Sequence, residues 1–224
     1  MPFEKQELIG IGTGIYTLAD IATILGLPPA KVSRWMNEYW NLHFGKTAQS
    51  IFTNGAGRDR VTNFLTLIEF FTFYQLREEG VSAQKIVKAH NILEKTFQTR
   101  YPFAKSPIFT DGKAVLFSGE VGEIIRADET LQITIKEIFS PFCKKVDFNK
   151  NDLAERFFPM GRNHNVIIDP KRQFGQPVVG ETNVLTETIF NLFKGGESVS
   201  MISRLYDLTL SQVNDAVDYH RSAA

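Results

Sequence analysis

A pair of short helices joined by a glycine and two prolines is the feature that most constrains this fold. Thr17 can cap the first helix, with Asp20 at its third position, and Gly26 can end it. Pro29 suits the first position of a second helix, which we expect to reach about Tyr39. The apolar positions of the first helix fall on one face, and they are Leu18, Ile21, Ala22 and Leu25. Residues 17–40 are therefore predicted to form a helix-turn-helix.

The second helix has the composition of a DNA-reading helix. Helical spacing turns one set of residues inward, namely Val32, Trp35, Met36 and Tyr39. It leaves another set outward, namely Ala30, Lys31, Ser33, Arg34 and Asn37. Basic side chains on such a helix can reach base edges or phosphates in a major groove, where arginine can bond guanine through two donors. We predict DNA contacts from Lys31, Ser33, Arg34 and Asn37.

A basic rim follows this helix. Residues 42–45 and 50–53 read as short strands, and residues 54–60 combine glycines with Arg58 and Arg60, so a hairpin wing is predicted. Both arginines would contact the DNA backbone or the minor groove. The alternative is a purely structural helical hairpin, which is common in all-α proteins. The outward basic residues, the apolar face of the first helix and the position of the wing favour DNA binding.

Two longer helices and a β-rich stretch come next. Thr62 is expected to cap a helix that ends at Gly80, and Ser82 a second one; its buried stripe comprises Ile86, Ala89, Leu93 and Phe97. Residues 108–117 read as a hairpin around Asp111 and Gly112. Residues 131–142 fit a helix and also alternate like a strand, and we favour the helix. Strands are predicted at 146–148, 153–158 and 166–168.

Helical patterning returns near the C-terminus. Thr186, Ser198 and the Thr209–Gln212 capping box are predicted to begin three helices. Val213, Ala216, Val217 and His220 should line one face of the last helix, and Ser211, Asn214, Asp215 and Asp218 should be exposed. Because DNA repels carboxylates, this second helix-turn-helix layout suits a protein partner better. The preceding segment 162–180 could contact that partner or a second copy, or equally could pack on its own helices.

Composition removes several classes of function. The 224 residues carry 25 basic and 25 acidic side chains, so any nucleic-acid contact must be local. Because Cys143 is the single cysteine, an internal disulfide and a cysteine-rich zinc site are excluded. We expect Cys143 to be a buried small hydrophobic residue. No apolar run approaches the roughly 20 residues that span a bilayer, and no secretion signal is evident, so we expect a cytoplasmic protein.

No catalytic or metal-binding constellation is evident. His43, His90, His164 and His220 are far apart along the chain and are expected to be surface or packed histidines. Gly10 to Gly14 resembles a phosphate loop only superficially, because no strand precedes it and no Lys-Ser or Lys-Thr pair follows. We predict a non-enzymatic protein without a cofactor; a nuclease is the enzyme alternative.

Two stretches resemble known families. Residues 16–100 are similar to the MerR-type winged helix-turn-helix, through Tyr16 to Ala22, Val32 to Trp35, and Leu76 to Ser82. Residues 164–220 resemble the small homeodomain-like, DUF433-type domain of Vap-type antitoxins. The residues that carry this second resemblance are Ile168 to Pro170, Phe174 to Gly180, Thr182, and Gly195 through Ser198 to Tyr206. Asn183 stands where that domain usually carries an arginine, which puts any contact made by the arginine in doubt.

The resemblance implies an antitoxin of a type II toxin–antitoxin pair. Such proteins bind and neutralise a PIN-like ribonuclease toxin and repress their shared operon through DNA binding. Since a helix-turn-helix reads extended operators best as a symmetric dimer, a homodimer or a larger toxin–antitoxin complex is expected. The candidate toxin or dimer contacts are Arg162, Ile168, Phe174, Gln176, Asn183 and Asn214.

The expected fold class is mainly α with small β elements (α+β). Its parts are a winged helix-turn-helix (1–100), a β-rich connecting region (101–155) and a three-helix homeodomain-like antitoxin domain (156–224). The alternative function is a MerR-like transcriptional regulator without a toxin partner, whose middle region senses a small effector.

Overall fold

The computed structural model of the chain describes residues 12–44, 52–55, 59–105 and 145–222. Their helices are α1 (Leu18–Leu25), α2 (Pro29–Trp35), a π-helix (Met36–Phe44), α3 (Phe64–Glu78), α4 (Ala83–Phe97), α5 (Thr186–Lys194), α6 (Val199–Tyr206) and α7 (Leu210–Ser222). Short 3₁₀ turns lie at Pro102–Ala104 and Gln173–Gly175. The strands are β1 (Tyr16–Thr17), β2 (Val61–Thr62), β3 (Val146–Phe148), β4 (Ala154–Phe157), β5 (Val166–Ile167) and β6 (Val178–Val179). The predicted mainly helical α+β class is confirmed.

Local hydrogen bonds define the first helix-turn-helix as predicted. The Thr17 hydroxyl accepts from the Asp20 amide (3.1 Å), and the Asp20 carboxylate accepts from the Thr17 amide (2.8 Å), which together form a capping box. Gly26 ends α1 in the left-handed region, at φ +62°, where glycine carries no Cβ penalty. Pro29 is the first residue of α2.

The second helix is longer than the sequence pattern indicates. It continues beyond Trp35 as the π-helix Met36–Phe44, so the prediction of a strand at residues 42–45 is wrong for residues 42–44. The i→i+5 bonds of a π-helix give more than four residues per turn, which keeps residues four apart near one face. Trp40 stacks on Phe70 at 3.9 Å and Phe44 on His90 at 3.8 Å between ring centroids, and packing against α3 and α4 thus replaces the expected strand.

A small two-stranded sheet closes the helix-turn-helix. Tyr16 pairs with Thr62 and Thr17 with Val61, antiparallel. Thr62 is therefore a strand residue whose hydroxyl donates to the Phe52 carbonyl (2.6 Å), and its predicted role as a helix cap is wrong. Asn63 caps α3 instead, because its side-chain oxygen accepts from the Thr66 amide at 2.9 Å. The caps predicted for Ser82, Ser198 and Thr209 are confirmed.

Two further hairpins precede the C-terminal helices. β3 and β4 pair antiparallel around the turn that the sequence predicts at 149–152, and β5 pairs antiparallel with β6. The Phe157 and Ile168 amides each donate to the other's carbonyl at 2.9 Å, which links β4 to the segment after β5. The predictions for residues 108–117, 131–142 and Cys143 lie outside the described residues.

Two main cores organise the described residues. The first is rich in aromatic side chains from α1 to α4, and it extends to the buried Val146, Ala154, Phe157 and Ile168. The second packs α5, α6 and α7 around aliphatic side chains, among them Ile189, Ile202 and Val213. Thr186 is the first residue of α5 rather than its cap: Leu185 occupies the cap position, and the Thr186 hydroxyl donates to the Pro177 carbonyl at 3.3 Å.

Backbone contacts join the N-terminal and C-terminal parts. The Ile15 amide donates to the Phe174 carbonyl (2.8 Å), and the Gln176 side chain donates to the Ile15 carbonyl (3.4 Å). Gly175 lies so close to Tyr16 that a Cβ there would collide with the phenol. The start of β1 is therefore held against the loop that precedes β6.

Candidate functional site

The exposed edge of the helix α2 and the π-helix carries the predicted DNA-binding residues. Arg34 and Asn37 are exposed, as their helical positions indicate, whereas Ser33, which was also predicted to face outward, is half-buried. Arg34 forms no ion pair with another residue in the described part of the chain. Its guanidinium keeps its donors available for a phosphate or a base edge.

Lys31 lies differently from the prediction. Its ammonium sits over the rings of Trp35 (4.8 Å) and Tyr74 (5.3 Å), and 3.8 Å from the Glu78 carboxylate. Its side chain is 30% exposed. Lys31 therefore does not project freely outward as predicted, because Trp35 and the α3 residues Tyr74 and Glu78 hold its ammonium against the fold. Its contact with DNA stays a prediction.

The described part of the wing folds toward the π-helix. Asn54 and Val61 form a pair of backbone hydrogen bonds (2.8 and 2.9 Å) in an isolated antiparallel bridge. Arg60 donates to the Asn37 side-chain oxygen at 2.6 Å. The structure thus brings Arg60 to the predicted DNA-reading edge, whereas Arg58 lies outside the described residues.

The candidate partner contacts fall into two groups and one buried position. Phe174 and Gln176 lie in the loop between β5 and β6 (the Phe174 loop), and Asn183 lies in the turn after β6; the Gln173 side chain joins the two segments by donating to the Asn183 carbonyl (2.9 Å). Arg162 and Asn214 form the second group, and both are exposed. The segments that carry them are joined by the hydrogen bond from the Asn165 amide to Asp215. Ile168 is fully buried in the first core and offers no side-chain surface.

Phe174 is the most distinctive of these residues. Its side chain is 74% exposed, and its backbone has φ +55°, next to Gln173 at φ +45°. A bulky residue in the left-handed region is strained, and such strain is concentrated at functional positions. The backbone here holds a large aromatic ring in solvent at an energetic cost.

An ion-pair network surrounds this loop. Arg156 pairs with Asp169 (3.2 Å) and Glu181 (3.0 Å), and Arg172 pairs with Glu181 (2.6 Å) and approaches Asp169 (3.6 Å). Asp169 also accepts from the Lys171 amide at 2.9 Å. Through Arg156 of β4, these contacts hold Asp169, which precedes the Phe174 loop, and Glu181, which follows β6, so the segment that carries Phe174 is preorganised.

Asp215 does not have the role that its helical position indicates. It accepts from the amide and side chain of Asn165 (2.8 and 2.6 Å) and from His164 (2.9 Å). Burial alone would raise the pKa of this carboxyl, but these hydrogen bonds outweigh it and hold the pKa below its ordinary value. The prediction that Asp215 is displayed to solvent is wrong, because it anchors the segment before β5.

A buried acid–base pair lies beneath the π-helix, and the sequence reasoning missed it. The Glu69 carboxylate contacts His90 Nε2 (2.7 Å) and accepts from the Phe103 amide (2.6 Å). Both side chains are fully buried. Burial raises the pKa of the Glu69 carboxyl, and the contact with His90 offsets part of this rise. The sequence signal for this pair is that Glu69 interrupts an apolar run in α3.

The described ranges contain neither a cluster of metal ligands nor a membrane-spanning helix. No group of three or more His, Cys, Asp or Glu residues in them could hold a metal ion. None of their helices is long and apolar enough to cross a membrane.

Comparison with known proteins adds to this picture. Residues 166–220 match the family described as "Protein of unknown function (DUF433)" and form a domain of that type. The chain is 26% identical over 232 residues to "Putative antitoxin VapB45" of Mycobacterium tuberculosis, covering 95% of this chain and 97% of that protein. It is also 26% identical over 224 residues to "Uncharacterized protein Rv2308" of the same organism, covering 92% of this chain and 89% of the relative.

A solved structure has the same fold. The crystal structure of Rv2018 from Mycobacterium tuberculosis matches with a TM-score of 0.73 at 22% identity, covering 94% of this chain and all of that one. The shared architecture therefore extends along nearly the whole chain. The resemblance of residues 16–100 to the MerR type stays a prediction.

Proposed function

We propose that this chain is the antitoxin of a type II toxin–antitoxin pair, which neutralises a PIN-like ribonuclease toxin and represses its own operon. In this proposal it acts by binding and has no enzymatic activity. The observation that carries the proposal is the similarity to VapB45 along 95% of the chain. The DUF433 domain at 166–220 coincides with the region that the sequence assigns to the toxin partner.

The Phe174 loop supplies the proposed toxin contact. Buried aromatic anchors dominate the energy of protein interfaces, and a rigid loop loses little entropy when it binds. Phe174 is exposed, and the Arg156, Arg172 and Glu181 ion pairs hold its loop in place. Its ring can enter a pocket on the toxin, and Asn183 in the adjoining turn after β6 can contribute polar contacts.

The helix α2 and the π-helix supply the proposed operator contact. Arg34 and Asn37 occupy the exposed edge, and Arg60 lies beside Asn37. These residues can combine base and phosphate contacts in one major groove. A homodimer would place two such helices on half-sites about one helical turn apart.

Co-expression of the full chain with the product of its neighbouring gene tests toxin binding. We expect the two proteins to co-purify and the chain to suppress the toxin's ribonuclease activity. Phe174→Ala should weaken capture by at least tenfold, whereas Leu205→Ala, at another exposed apolar residue, should leave it unchanged. Failure of the intact chain to bind would contradict the proposal. The test uses the full chain because Phe157 and Ile168, in the C-terminal part, pack into the first core with residues of α1 to α4.

One observation favours the alternative of an effector-sensing MerR-like regulator. A cavity of about 240 Å³ lies between the start of α3, Tyr101 and the β3–β4 hairpin. A small effector bound there would contact both the N-terminal part and the hairpin. This function predicts operator binding that changes with a small molecule, with no toxin encoded next to the chain. Toxin neutralisation by the chain would decide against it.

A further inference from the structure

A second cavity lies between the helix-turn-helix and the C-terminal helices. It has a volume of about 230 Å³ and is lined by α1 on one side and by the start of α5 and the end of α7 on the other. Pockets for drug-sized ligands usually measure about 300–1,000 Å³, so this cleft suits a small ligand or a single side chain.

The formal charges around this cleft are all negative. Asp20 and Glu187 line it, and no lysine or arginine is among the described lining residues. His220 also lines it, but burial lowers the pKa of its imidazole, which favours the neutral ring. Arg221, the next residue, points elsewhere, because its guanidinium lies over Phe193 (5.0 Å) and near Asp218 (3.6 Å).

Both carboxylates have unused hydrogen-bonding capacity. Asp20 makes its two contacts with Thr17 through Oδ2, and Oδ1 has no partner in the described part of the chain. Glu187 is exposed on the first turn of α5 and forms no ion pair with a described residue. The acidic character of the cleft is therefore not cancelled from within the described fold.

A buried phenol adds an independent indication of a ligand. Tyr219 lines the cleft and is 3% exposed, and its hydroxyl has no hydrogen-bond partner among the described residues. Asp20 lies close enough to contribute, after burial itself, to raising the pKa of this phenol. A buried hydroxyl without a partner carries a free-energy cost, which a bound donor would remove.

We propose that this cleft binds a guanidinium group between Asp20 and Glu187, with the Tyr219 hydroxyl as a further acceptor. Guanidinium presents several N–H donors in one plane and pairs well with carboxylates. The apolar Ile24, Pro177 and Leu185 in the lining can contact the attached carbon chain. Because the cleft spans α1 and the C-terminal helices, the ligand would join the two proposed functional parts.

The guanidinium could belong to a free small molecule or to an arginine of a bound protein. Calorimetric titration of the full chain with n-propylguanidinium, and with the blocked tripeptide acetyl-Gly-Arg-Gly-amide, distinguishes these sources. Propylguanidinium should bind saturably at millimolar concentration, and neutral n-propylurea should not. Tripeptide binding at least as tight as that of propylguanidinium assigns the cleft to an arginine side chain, and exclusion of the tripeptide assigns it to a free ligand.

Substitutions make the test specific. Glu187→Gln and Tyr219→Phe should each weaken propylguanidinium binding at least fivefold, whereas Glu197→Gln, an exposed acid outside the cleft, should not change it. Tyr219→Phe should leave the Tm of the free protein unchanged or raise it, because the hydroxyl has no partner to lose. Equal binding of the urea, unchanged binding in both cleft variants, or a lowered Tm for Tyr219→Phe would overturn the proposal.

Discussion

The two helix-turn-helix units of this chain share a layout and differ in chemistry. In both, a polar residue caps a short helix of eight residues, a left-handed residue ends it, and a second helix follows: Gly26 is the turn residue in one and Asp207 in the other. The N-terminal unit packs on a core rich in aromatic side chains, and the buried core of the C-terminal unit is aliphatic. The same backbone plan therefore serves two different surfaces.

The second helix of each unit, α2 with the π-helix in one and α7 in the other, exposes side chains of different charge. The N-terminal helix displays Arg34 and Asn37, with Arg60 beside them. The C-terminal helix displays Asn214 and Asp218, while Asp215 is committed to Asn165. Because the two backbones are alike, the proposal that the N-terminal unit binds DNA rests on the charge and the availability of its exposed side chains.

The largest expected effect comes from breaking the aromatic core of the N-terminal unit. Trp40 is fully buried and stacks on Phe70. Trp40→Ala should lower the free energy of unfolding by about 3–5 kcal/mol, through lost burial and the cavity left behind. Urea denaturation followed by circular dichroism measures this loss. Leu42→Ala in the same π-helix is the control and should change stability by less than about 0.5 kcal/mol, because Leu42 is 63% exposed.

Similar losses from both variants would show that the π-helix does not pack on α3 as described.

The π-helix was the part of the fold that was hardest to predict from sequence. Apolar spacing placed Trp35 and Met36 correctly, but the continuation to Phe44 depends on Phe70 and His90, which are distant in the chain. Helix caps were more predictable, since most depend on residues three positions apart.

The predictions that failed also depend on contacts between residues that are distant in the chain. Thr62 and Thr186 were expected to be caps, but their hydroxyls bond the Phe52 and Pro177 carbonyls, which local sequence cannot reveal. At the candidate DNA-binding edge, helical periodicity correctly predicts that Arg34 and Asn37 are exposed. It does not predict that Tyr74 and Glu78 of α3 contact Lys31, because those residues are distant in the chain.

A smaller effect is expected at Asp215, which distinguishes structural from displayed acids in the C-terminal unit. Asp215→Ala leaves the Asn165 donors unpaired and should lower the free energy of unfolding by about 1–3 kcal/mol. Asp218→Ala is the matched control; Asp218 is exposed and pairs only loosely with Arg221, so its loss should cost at most about 1 kcal/mol. Equal effects would mean that Asp215 does not anchor Asn165.

The loss at Asp215 should depend on pH. Its folded pKa is depressed below the ordinary 3.8, so its stabilising effect is complete above that value and disappears as the pH falls through the folded pKa. The stability difference between the native chain and Asp215→Ala should therefore narrow below about pH 4. Unfolding titrations between neutral pH and pH 3 measure it, and a constant difference would contradict the assigned hydrogen bonds.

Arg34 tests the assignment of DNA binding to the N-terminal unit. Arg34→Ala should weaken binding to the chain's own upstream DNA, by about 1–3 kcal/mol if it contacts a base. If it contacts a phosphate, the affinity should fall evenly across sequences and the salt slope should shrink by about 1. Arg204→Ala on the exposed face of α6 is the control in the C-terminal unit. A larger effect of Arg204→Ala, in fluorescence anisotropy titrations, would reverse the assignment.

The smallest expected effect concerns Glu38, the exposed acid four residues after Arg34 on the same helical edge. A carboxylate about 10 Å from a phosphate is repelled in water by about 0.4 kcal/mol, which corresponds to roughly a twofold change in affinity. Glu38→Gln should therefore strengthen DNA binding about twofold at low salt, and the gain should vanish as salt screens the charge. Glu197→Gln, in the C-terminal unit, changes the net charge equally and should have no such effect. If both variants strengthen binding alike, net charge is the cause, and the edge formed by Arg34 and Asn37 is not where DNA lies.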